Sequence, residues 1–248
     1  MHSRHEWRII PQIMMVRTIL DKHLKPRNKF IYGFADLTGL LLPKFGNHTY
    51  GISIAKKLSD RIVDGIKDSP TLEYYHHYRQ VNDDLFNITL NITNELNLAG
   101  IPALNIVPTI STSEMDSVYL ESLRTDLSHK MVATQAGLGW IGKTALFISK
   151  KFGPRLRLVT ILTSFPLKPE SDPITKSRCG SCTLCVNACP AIAANGKLWN
   201  SSVDRDEFFD ASKCRNQCKI FGQQLQMDIR ICGICIAVCP IAGQNATL

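Results

Sequence analysis

The sequence predicts a protein of mixed helices and strands in two parts, a core followed by a small cysteine-rich domain. Three observations predict this organisation. Stretches with helical periodicity alternate with β-rich runs as far as residue 163. All nine cysteines lie between Cys179 and Cys239. The composition shifts to Pro, Lys and Asp at residues 166–173, so we expect domains at residues 1–170 and 171–248.

The core elements follow one another along the chain. We predict helices at residues 10–24, 58–66, 72–96 and 127–136, and strands at residues 30–35, 50–54, 103–107, 145–149 and 155–163. The longest helix rests on apolar positions that recur every three or four residues, with Gly100 as its stop. Apolar residues alternate with polar ones at residues 86–92, so a strand is an alternative prediction there. Asp126 is a possible N-cap of the last helix, and the last two strands fit a hairpin.

Composition and charge set only broad limits on partners. Lys and Arg exceed Asp and Glu by 29 − 21 = +8, which favours solubility and permits acidic partners without specifying one. The most apolar early stretch, residues 30–42, contains Asp36 and ends at Pro43, far short of the roughly 20 residues that cross a bilayer. The first residues do not have the basic start and apolar core of a signal peptide. We therefore expect a cytoplasmic protein with no membrane partner.

The cysteines form two runs that each end in proline. The first run has the spacing C-x2-C-x2-C-x3-C-P and consists of Cys179, Cys182, Cys185, Cys189 and Pro190. The second run repeats this spacing without its first cysteine and consists of Cys232, Cys235, Cys239 and Pro240. The full spacing is that of bacterial ferredoxins that hold [4Fe–4S] clusters, where the last cysteine of a run binds the other cluster.

This crossed arrangement predicts two sets of cluster ligands. Cluster one takes Cys179, Cys182, Cys185 and Cys239. Cluster two takes Cys189, Cys232, Cys235 and one of the two spare thiols, Cys214 or Cys218. Structural zinc is the alternative, because C-x2-C pairs are common in zinc sites. Zinc sites often include histidine, however, and none of the seven histidines lies in the cysteine region, so the spacing favours iron–sulfur clusters.

Residues 137–144, GLGWIGKT, match two phosphate-binding patterns. They satisfy the P-loop pattern G-x-x-x-x-G-K-[ST], and their first six residues satisfy the dinucleotide pattern G-x-G-x-x-G. Both patterns need a strand before the loop and a helix after it, because the helix N-terminus binds the anion. Here a predicted helix enters the loop and a β-rich run leaves it, which argues against nucleotide binding.

Residues 129–167, HKMVATQAGLGWIGKTALFISKKFGPRLRLVTILTSFPL, together with the cysteine runs, resemble epoxyqueuosine reductase. That enzyme and the reductive dehalogenases share a cobalamin-binding core fused to a two-cluster ferredoxin module. The strongest matches are AGLGWIGK (residues 136–143), FGPRLRL (residues 152–158) and the cysteines. The resemblance implies the α+β class. It implies a sandwich-like, cobalamin-reductase-like core with helices packed on a mostly antiparallel sheet, followed by a ferredoxin-like domain with two [4Fe–4S] clusters. It also favours Cys214 over Cys218 in cluster two. We expect a short form without the C-terminal helical-repeat domain of epoxyqueuosine reductase.

The resemblance also implies a corrinoid between the core and the clusters. Its predicted contacts come from the matching loop and are Gly137, Leu138, Gly139, Trp140, Gly142 and Lys143. The carboxylate proton donor of epoxyqueuosine reductase aligns with Leu123, so the match fails at that position. Asp126 and His129 lie nearby, and we predict that one of them is the catalytic proton donor.

The leading hypothesis is a reductase in which an external donor of ferredoxin or flavodoxin type sends electrons through both clusters to cobalamin. Its substrate would be a small molecule or a modified nucleoside. A tRNA partner stays open, since the aromatic residues at 74–78 could stack on bases, although helical spacing favours a half-buried helix face. One alternative is a ferredoxin-type electron-transfer protein whose core binds a partner or another cofactor such as flavin. The other is a P-loop ATPase coupled to iron–sulfur chemistry.

Overall fold

A computed structural model describes residues 6–110, 115–227 and 230–241. Its helices are α1 (Glu6–His23), α2 (Asp60–Asp64), α3 (Leu72–Leu98), α4 (Ser117–Ser122), α5 (His129–Gln135), α6 (Leu184–Asn187), α7 (Ala211–Gln224) and α8 (Ile234–Ala237). Its strands are β1 (Phe30–Asp36), β2 (Tyr50–Lys57), β3 (Ala103–Ile106), β4 (Gly139–Ile141), β5 (Phe147–Ser149) and β6 (Leu156–Thr163). None of these helices is both long enough and apolar enough to cross a bilayer.

The central sheet has the strand order β1-β2-β6-β3, and every neighbouring pair is antiparallel. Its strands bury residues on both faces, as their β-branched and aliphatic sequences predict. Along β6, Val159 and Ile161 point to one face, whereas Leu158 and Leu162 point to the other. The predicted α+β class with a mostly antiparallel sheet is therefore confirmed.

The two faces of the sheet are covered by different elements. Helices α1 and α3 pack on the first face, where Leu20, Leu85 and Ile92 are fully buried. Helix α5 packs on the second face, where a Cβ on Gly51 would lie only 2.8 Å from Val132 Cγ1. The core is thus a three-layer arrangement, and α5 brings the residues before the glycine-rich loop against the sheet.

The long third helix is confirmed, and the strand alternative at residues 86–92 is wrong. Thr71 caps the N-terminus of α3 by accepting a hydrogen bond from the Tyr74 N–H at 3.1 Å. Gly100 follows the last turn with φ of +76°, a left-handed conformation that glycine adopts without steric cost. The apolar stripe of α3 faces the sheet, so burial at helical spacing outweighs the local alternation.

Two local predictions need correction. The N-cap of α5 is Ser128, whose hydroxyl accepts from the Met131 N–H, and Asp126 lies two residues before this cap. The predicted hairpin of residues 145–149 with 155–163 does not form, because β6 pairs with β2 and β3. Strand β5 pairs instead with β4, which the glycine-rich sequence concealed. The hairpin β4–β5 therefore presents the loop at residues 142–146 to the cysteine region.

The cysteine region packs directly on the core. Ile231, Ile234 and Ile236 of the second run join the apolar core formed by α1, α3 and the sheet. The first run contacts the β4–β5 hairpin, where Trp140 packs with Cys179. Ala188 of the first run also packs against the main core, and Cys239 of the second run also packs beside Trp140, so both runs contribute to the candidate site.

Candidate functional site

The fold brings the cysteines together as two groups of four. The thiols of the first group lie close enough to interact through their charges, and they are Cys179, Cys182, Cys185 and Cys239. The second group is related in the same way and comprises Cys189, Cys214, Cys232 and Cys235. Each group contains thiols from both runs, as the crossed spacing predicts. The assignment of these thiols to particular clusters stays a prediction, and the grouping supports it.

Burial dominates the acidity of these thiols. It raises the pKa of Cys232 and of Cys239 to about 11 in each case, and neighbouring thiols in the same group raise it further. Backbone N–H groups of Ile234 and Ile241 oppose the shift by donating to these sulfurs. The Ala193 N–H similarly lies 3.5 Å from Cys189 Sγ. Amide donors around clustered thiols are the environment in which iron–sulfur clusters are stabilised and tuned.

Helix α7 carries the two cysteines that the spacing left open. Cys214 lies with the second group, and its pKa is lowered mainly by a hydrogen bond from the Cys218 thiol. That same hydrogen bond raises the pKa of Cys218, which is only 7% exposed. The geometry supports Cys214 as the cluster ligand and Cys218 as a buried thiol that donates to it. Their roles stay a prediction.

The donor set of each group suits an iron–sulfur cluster. Each group consists of four thiols drawn from both cysteine runs or from α7, and four cysteine thiolates are the ligands of a [4Fe–4S] cluster. Among the described residues, no group of His, Cys, Asp or Glu side chains is arranged to hold a single metal ion. The thiols present therefore fit two [4Fe–4S] clusters in number and in kind.

The glycine-rich loop lies against the first cysteine group. A Cβ on Gly142 would lie 3.6 Å from Cys179 Sγ and 2.6 Å from Ile148 Cδ1. The Lys143 ammonium is buried and donates to the Cys182 carbonyl oxygen at 2.9 Å. Helix α5 enters this loop and β5 leaves it, so the phosphate-binding arrangement is missing, as expected from the sequence.

The other loop residues predicted to contact a corrinoid are largely enclosed. Gly137 ends α5 with φ of +68°, and Gly139 packs so tightly on Ile148 that no side chain fits. Leu138 packs beside Gly33, and Trp140 is buried next to Cys179. Their described contacts are with the hairpin, the core and the cysteine region. Contact with a corrinoid stays a prediction for this loop.

Lys130 lines three cavities of the core. The cluster cavity, about 350 Å³, lies beside the second-group thiols. The loop cavity, about 630 Å³, is lined by Asp126, His129 and Arg157. The side cavity, about 520 Å³, is lined by Arg205 and Trp199. Of the three, the cluster cavity is the one whose lining includes thiols.

The wall shared by these cavities is positively charged. Lys130 donates to the Ala145 carbonyl at 2.8 Å, and burial together with Arg205 and Arg157 lowers its pKa to about 8. Arg157 donates to Asn82 Oδ1 at 2.9 Å and stacks 4.3 Å from the ring centre of Tyr78. Among the described residues, no Asp or Glu lines the cluster cavity. This charge favours anionic groups. No sequence motif predicts it, because Lys130, Arg157 and Arg205 are far apart along the chain.

The two predicted proton donors both line the loop cavity. Asp126 is exposed and forms an ion pair with Lys44. His129 Nε2 lies 2.9 Å from the Val107 carbonyl and Nδ1 lies 2.9 Å from the Thr160 hydroxyl, so both ring nitrogens have partners. Burial lowers the pKa of His129 to about 4, which keeps the ring neutral near pH 7. Neither residue's catalytic role is tested by this geometry.

The alignment of Leu123 with the carboxylate donor of epoxyqueuosine reductase stays a prediction. Leu123 ends α4 with φ of +51°, and its carbonyl accepts from Arg205 at 2.8 Å. Leu123 lines both the side cavity and the cluster cavity. The position therefore faces the candidate site even though the side chain carries no proton.

Comparison with known proteins agrees with this geometry. Residues 178–242 match the family described as "4Fe-4S double cluster binding domain". The chain is 33% identical over 117 residues to the epoxyqueuosine reductase of Cyclobacterium marinum, a match that covers 44% of this chain and 34% of that protein. The chain spans about a third of the length of the curated relatives it matches.

Solved structures share the fold. An epoxyqueuosine reductase with an epoxyqueuosine-modified tRNA-Tyr stem loop superposes with a TM-score of 0.58 at 17% identity, covering 95% of this chain and 68% of that one. A reductive dehalogenase whose structure suggests a mechanism for B12-dependent dehalogenation gives a TM-score of 0.60 at 15% identity, covering 88% of this chain and 30% of that one. The predicted resemblance is confirmed in sequence and in fold. The chain is thus an epoxyqueuosine reductase-like iron–sulfur protein whose double-cluster domain occupies residues 178–242.

Proposed function

We propose that this protein is a reductase that passes electrons through two [4Fe–4S] clusters to a corrinoid bound between the core and the second cysteine group. One observation carries the proposal. The cluster cavity lies between the core and the second-group thiols and shares Lys130 with the loop and side cavities, so a cofactor bound there would lie next to cluster two. A corrinoid, when bound, supplies a cobalt centre capable of reductive chemistry on carbon–oxygen or carbon–halogen bonds.

The chain's own groups provide binding and orientation. Lys130, Arg157 and Arg205 line the cavity walls and bind anionic or carbonyl groups of the cofactor and substrate. Apolar residues such as Leu146 and Ile236 cover the remaining wall and exclude water. The proton donor is proposed at the loop cavity, at the Asp126 carboxyl or the His129 ring. In its resting position His129 Nε2–H donates to the Val107 carbonyl, so the ring must turn before it can donate elsewhere.

The substrate class follows from the relatives and from the charge of the site. One related structure holds an epoxyqueuosine-modified tRNA stem loop. A cationic cavity wall suits a nucleoside whose neighbouring phosphates are anionic. We therefore propose a modified nucleoside, either free or within tRNA, with electrons supplied by a ferredoxin or flavodoxin.

The test begins with protein purified without oxygen and reconstituted with iron and sulfide. Iron, sulfide, zinc and cobalt per chain are measured, and the protein is then titrated separately with cobalamin, FMN and ATP. We expect a stoichiometric cobalamin complex with the absorbance and paramagnetic spectrum of a cobalt free of its nucleotide base. No retained corrinoid would falsify the proposal. Retained FMN with fast electron exchange would instead favour the electron-transfer alternative.

A matched pair of variants connects cobalamin binding to the cavities. Lys130→Met removes the cation shared by all three cavities, and we expect cobalamin affinity to fall about tenfold or more. Lys150→Met removes an exposed lysine that lines none of them and should leave affinity unchanged. Equal affinities in the two variants would place the corrinoid elsewhere. Turnover of an epoxyqueuosine-containing stem loop, compared with the free nucleoside, then tests the substrate.

A further inference from the structure

The Lys143 side chain is a buried cation beside the first cysteine group. Lys143 is only 4% exposed, and its ammonium donates to the Cys182 carbonyl oxygen at 2.9 Å. This is the one hydrogen bond it makes to a described residue, and no described Asp or Glu pairs with it. An ammonium has three protons to donate, and burial of a cation without an opposite charge is strongly destabilising. The fold therefore places a positive charge where it needs a negative partner.

A second donor, on strand β4 just before this lysine, has the same surroundings. Trp140 is 1% exposed, and no acceptor among the described residues lies within hydrogen-bonding distance of its indole Nε1. Its ring packs beside Cys179 and Cys239, two thiols of the first group. Between the two donors, a Cβ on Gly142 would lie 3.6 Å from Cys179 Sγ. Residues 140–143 are therefore in contact with the first cysteine group along their length.

These two donors do not face the space proposed for the corrinoid. Neither Lys143 nor Trp140 lines the cluster cavity, the loop cavity or the side cavity. Thr144 and Ala145, which follow in the loop, do line the cluster cavity. The loop therefore turns one part toward the first cysteine group and the next part toward the cavity.

Cluster one is a negative partner of the kind that Lys143 lacks. Four thiolates give a [4Fe–4S] cluster a net negative charge, and one electron accepted from an external donor increases that charge. The carbonyl oxygen and the sulfur of Cys182 are separated by only a few bonds, so the ammonium lies close to a cluster held by Cys182. A positive charge that is shielded from water stabilises the reduced cluster more than the oxidised one, which raises the reduction potential.

We infer that the buried Lys143 ammonium is the charge partner of cluster one and raises its reduction potential. The external donor loses one electron and cluster one gains it, while no bond changes at Lys143 and no proton moves. This inference rests on the two clusters of the proposed function and is independent of the corrinoid. It gives the lysine of the P-loop-like sequence an anionic partner other than a phosphate.

The experiment compares the unaltered protein with three replacements of Lys143. Lys143→Met keeps the length of the side chain without its charge, Lys143→Gln keeps a donor for the Cys182 carbonyl without the charge, and Lys143→Arg keeps the charge. Arg178→Met is the matched control, because it removes an exposed cation that precedes Cys179 in the chain.

Each protein is reconstituted with iron and sulfide, and its iron and sulfide content is measured first. Titration with dithionite under paramagnetic resonance then gives the midpoint potential of each cluster. An unaltered protein that holds no clusters contradicts the proposed function separately from this inference.

In Lys143→Met and Lys143→Gln we expect the ratio of reduced to oxidised cluster one at a fixed potential to fall about tenfold or more, which is about 59 mV for a one-electron couple. Cluster two should shift much less, because it is further from the ammonium. Lys143→Arg and Arg178→Met should keep potentials near that of the unaltered protein, since the first retains the buried charge and the second removes a charge already screened by water.

An unchanged potential in Lys143→Met overturns the inference, and so does an equal shift in Arg178→Met or in Lys143→Arg. Recovery of the potential in Lys143→Gln also overturns it, because the hydrogen bond to Cys182 would then be the feature that matters. A fall in cobalamin affinity without a shift in potential would place the lysine at the corrinoid and overturns it too. If Lys143→Met loses cluster one, Lys143→Gln decides alone. If both lose it, retention in Lys143→Arg supports the inference and loss in Lys143→Arg overturns it.

Discussion

The two cysteine runs share a spacing and differ in what covers them. Each run forms a four-residue helix, α6 in the first and α8 in the second. Leu184 begins α6 and is 52% exposed, whereas Ile234 holds the same position in α8 and is 4% exposed. Thr183, before Leu184, is exposed, but its counterpart Gly233 packs against the core.

Under the proposed function, this difference predicts a direction for electron flow. The first run presents exposed side chains, including Leu184, and the proposed external donor would approach there. The second run is covered by the core and lines the cluster cavity. The first run is therefore the outer end of the predicted electron path, and the second run is its inner end. The residues around each run produce this difference, because the two runs share one motif.

The largest expected effect separates two neighbouring cysteines of the first run. Cys185→Ser should remove cluster one, and Cys189→Ser should remove cluster two, because Cys185 lies with the first group and Cys189 with the second. Each variant should lose about half of its iron. Iron analysis and paramagnetic spectra after one-electron reduction identify which cluster is left.

The prediction fails if both variants lose the same cluster, since neighbours in one run would then share one cluster. Cys218→Ser is the control for replacement of a buried thiol, and it should retain both clusters. Loss of cluster two in Cys218→Ser, with retention in Cys214→Ser, would exchange the roles of these two residues on α7.

The next effect tests why the second run has glycine where the first has threonine. Gly233 has φ of +86°, and a Cβ there would lie 2.7 Å from Tyr74 Cε1 and 2.8 Å from Ile66 Cδ1. Gly233→Thr should lower the free energy of unfolding by about 2–5 kcal/mol, through backbone strain and overpacking. The reciprocal change Thr183→Gly should cost less than about 1 kcal/mol. Denaturant unfolding of both variants measures this difference, and equal costs would contradict the asymmetry.

Much of this arrangement could be predicted from the sequence. The spacing of the runs predicted the crossed grouping, because thiol positions in such loops follow directly from the chain. The apolar periodicity predicted α3, the β-rich runs predicted the four strands of the central sheet, and the family resemblance implied that the sheet is mostly antiparallel. The β4–β5 hairpin was missed because Gly137, Gly139 and Gly142 give no strand pattern, and their small size is needed for close approach to neighbouring segments.

The cavity wall could not be predicted by the same means. Lys130 is on a short helix, Arg157 is on a central strand and Arg205 begins a one-turn 3-10 helix beyond the first run. No spacing joins residues from three elements, so their meeting depends on tertiary structure alone. The predicted N-cap of α5 was wrong for a different reason. Asp126 and Ser128 are both favourable N-cap residues, and sequence preference does not distinguish between them.

A smaller effect tests burial at the paired position of the two short helices. Ile234→Ala should lower the free energy of unfolding by about 2–4 kcal/mol, because it leaves a cavity in the main core. Leu184→Ala should change it by less than about 0.5 kcal/mol, since most of that side chain is already in water. Thermal and denaturant unfolding of the reconstituted proteins measure both values. A larger cost for Leu184→Ala would mean that a partner or another segment covers the first run.

The smallest effect concerns the rate at which iron leaves the unaltered protein. Exposed side chains surround much of the first run, so a chelator or oxidant reaches cluster one more readily than cluster two beneath the core. We expect cluster one to be lost several-fold faster, a difference on the order of 1 kcal/mol in activation free energy. Absorbance and paramagnetic spectra recorded during ferricyanide treatment follow the two losses. In denaturant the rates should become equal, because the protection of cluster two comes from folding. Faster loss of cluster two in the folded protein would contradict the assignment of the first run as the outer end. Electrons would then have to enter from the cavity side.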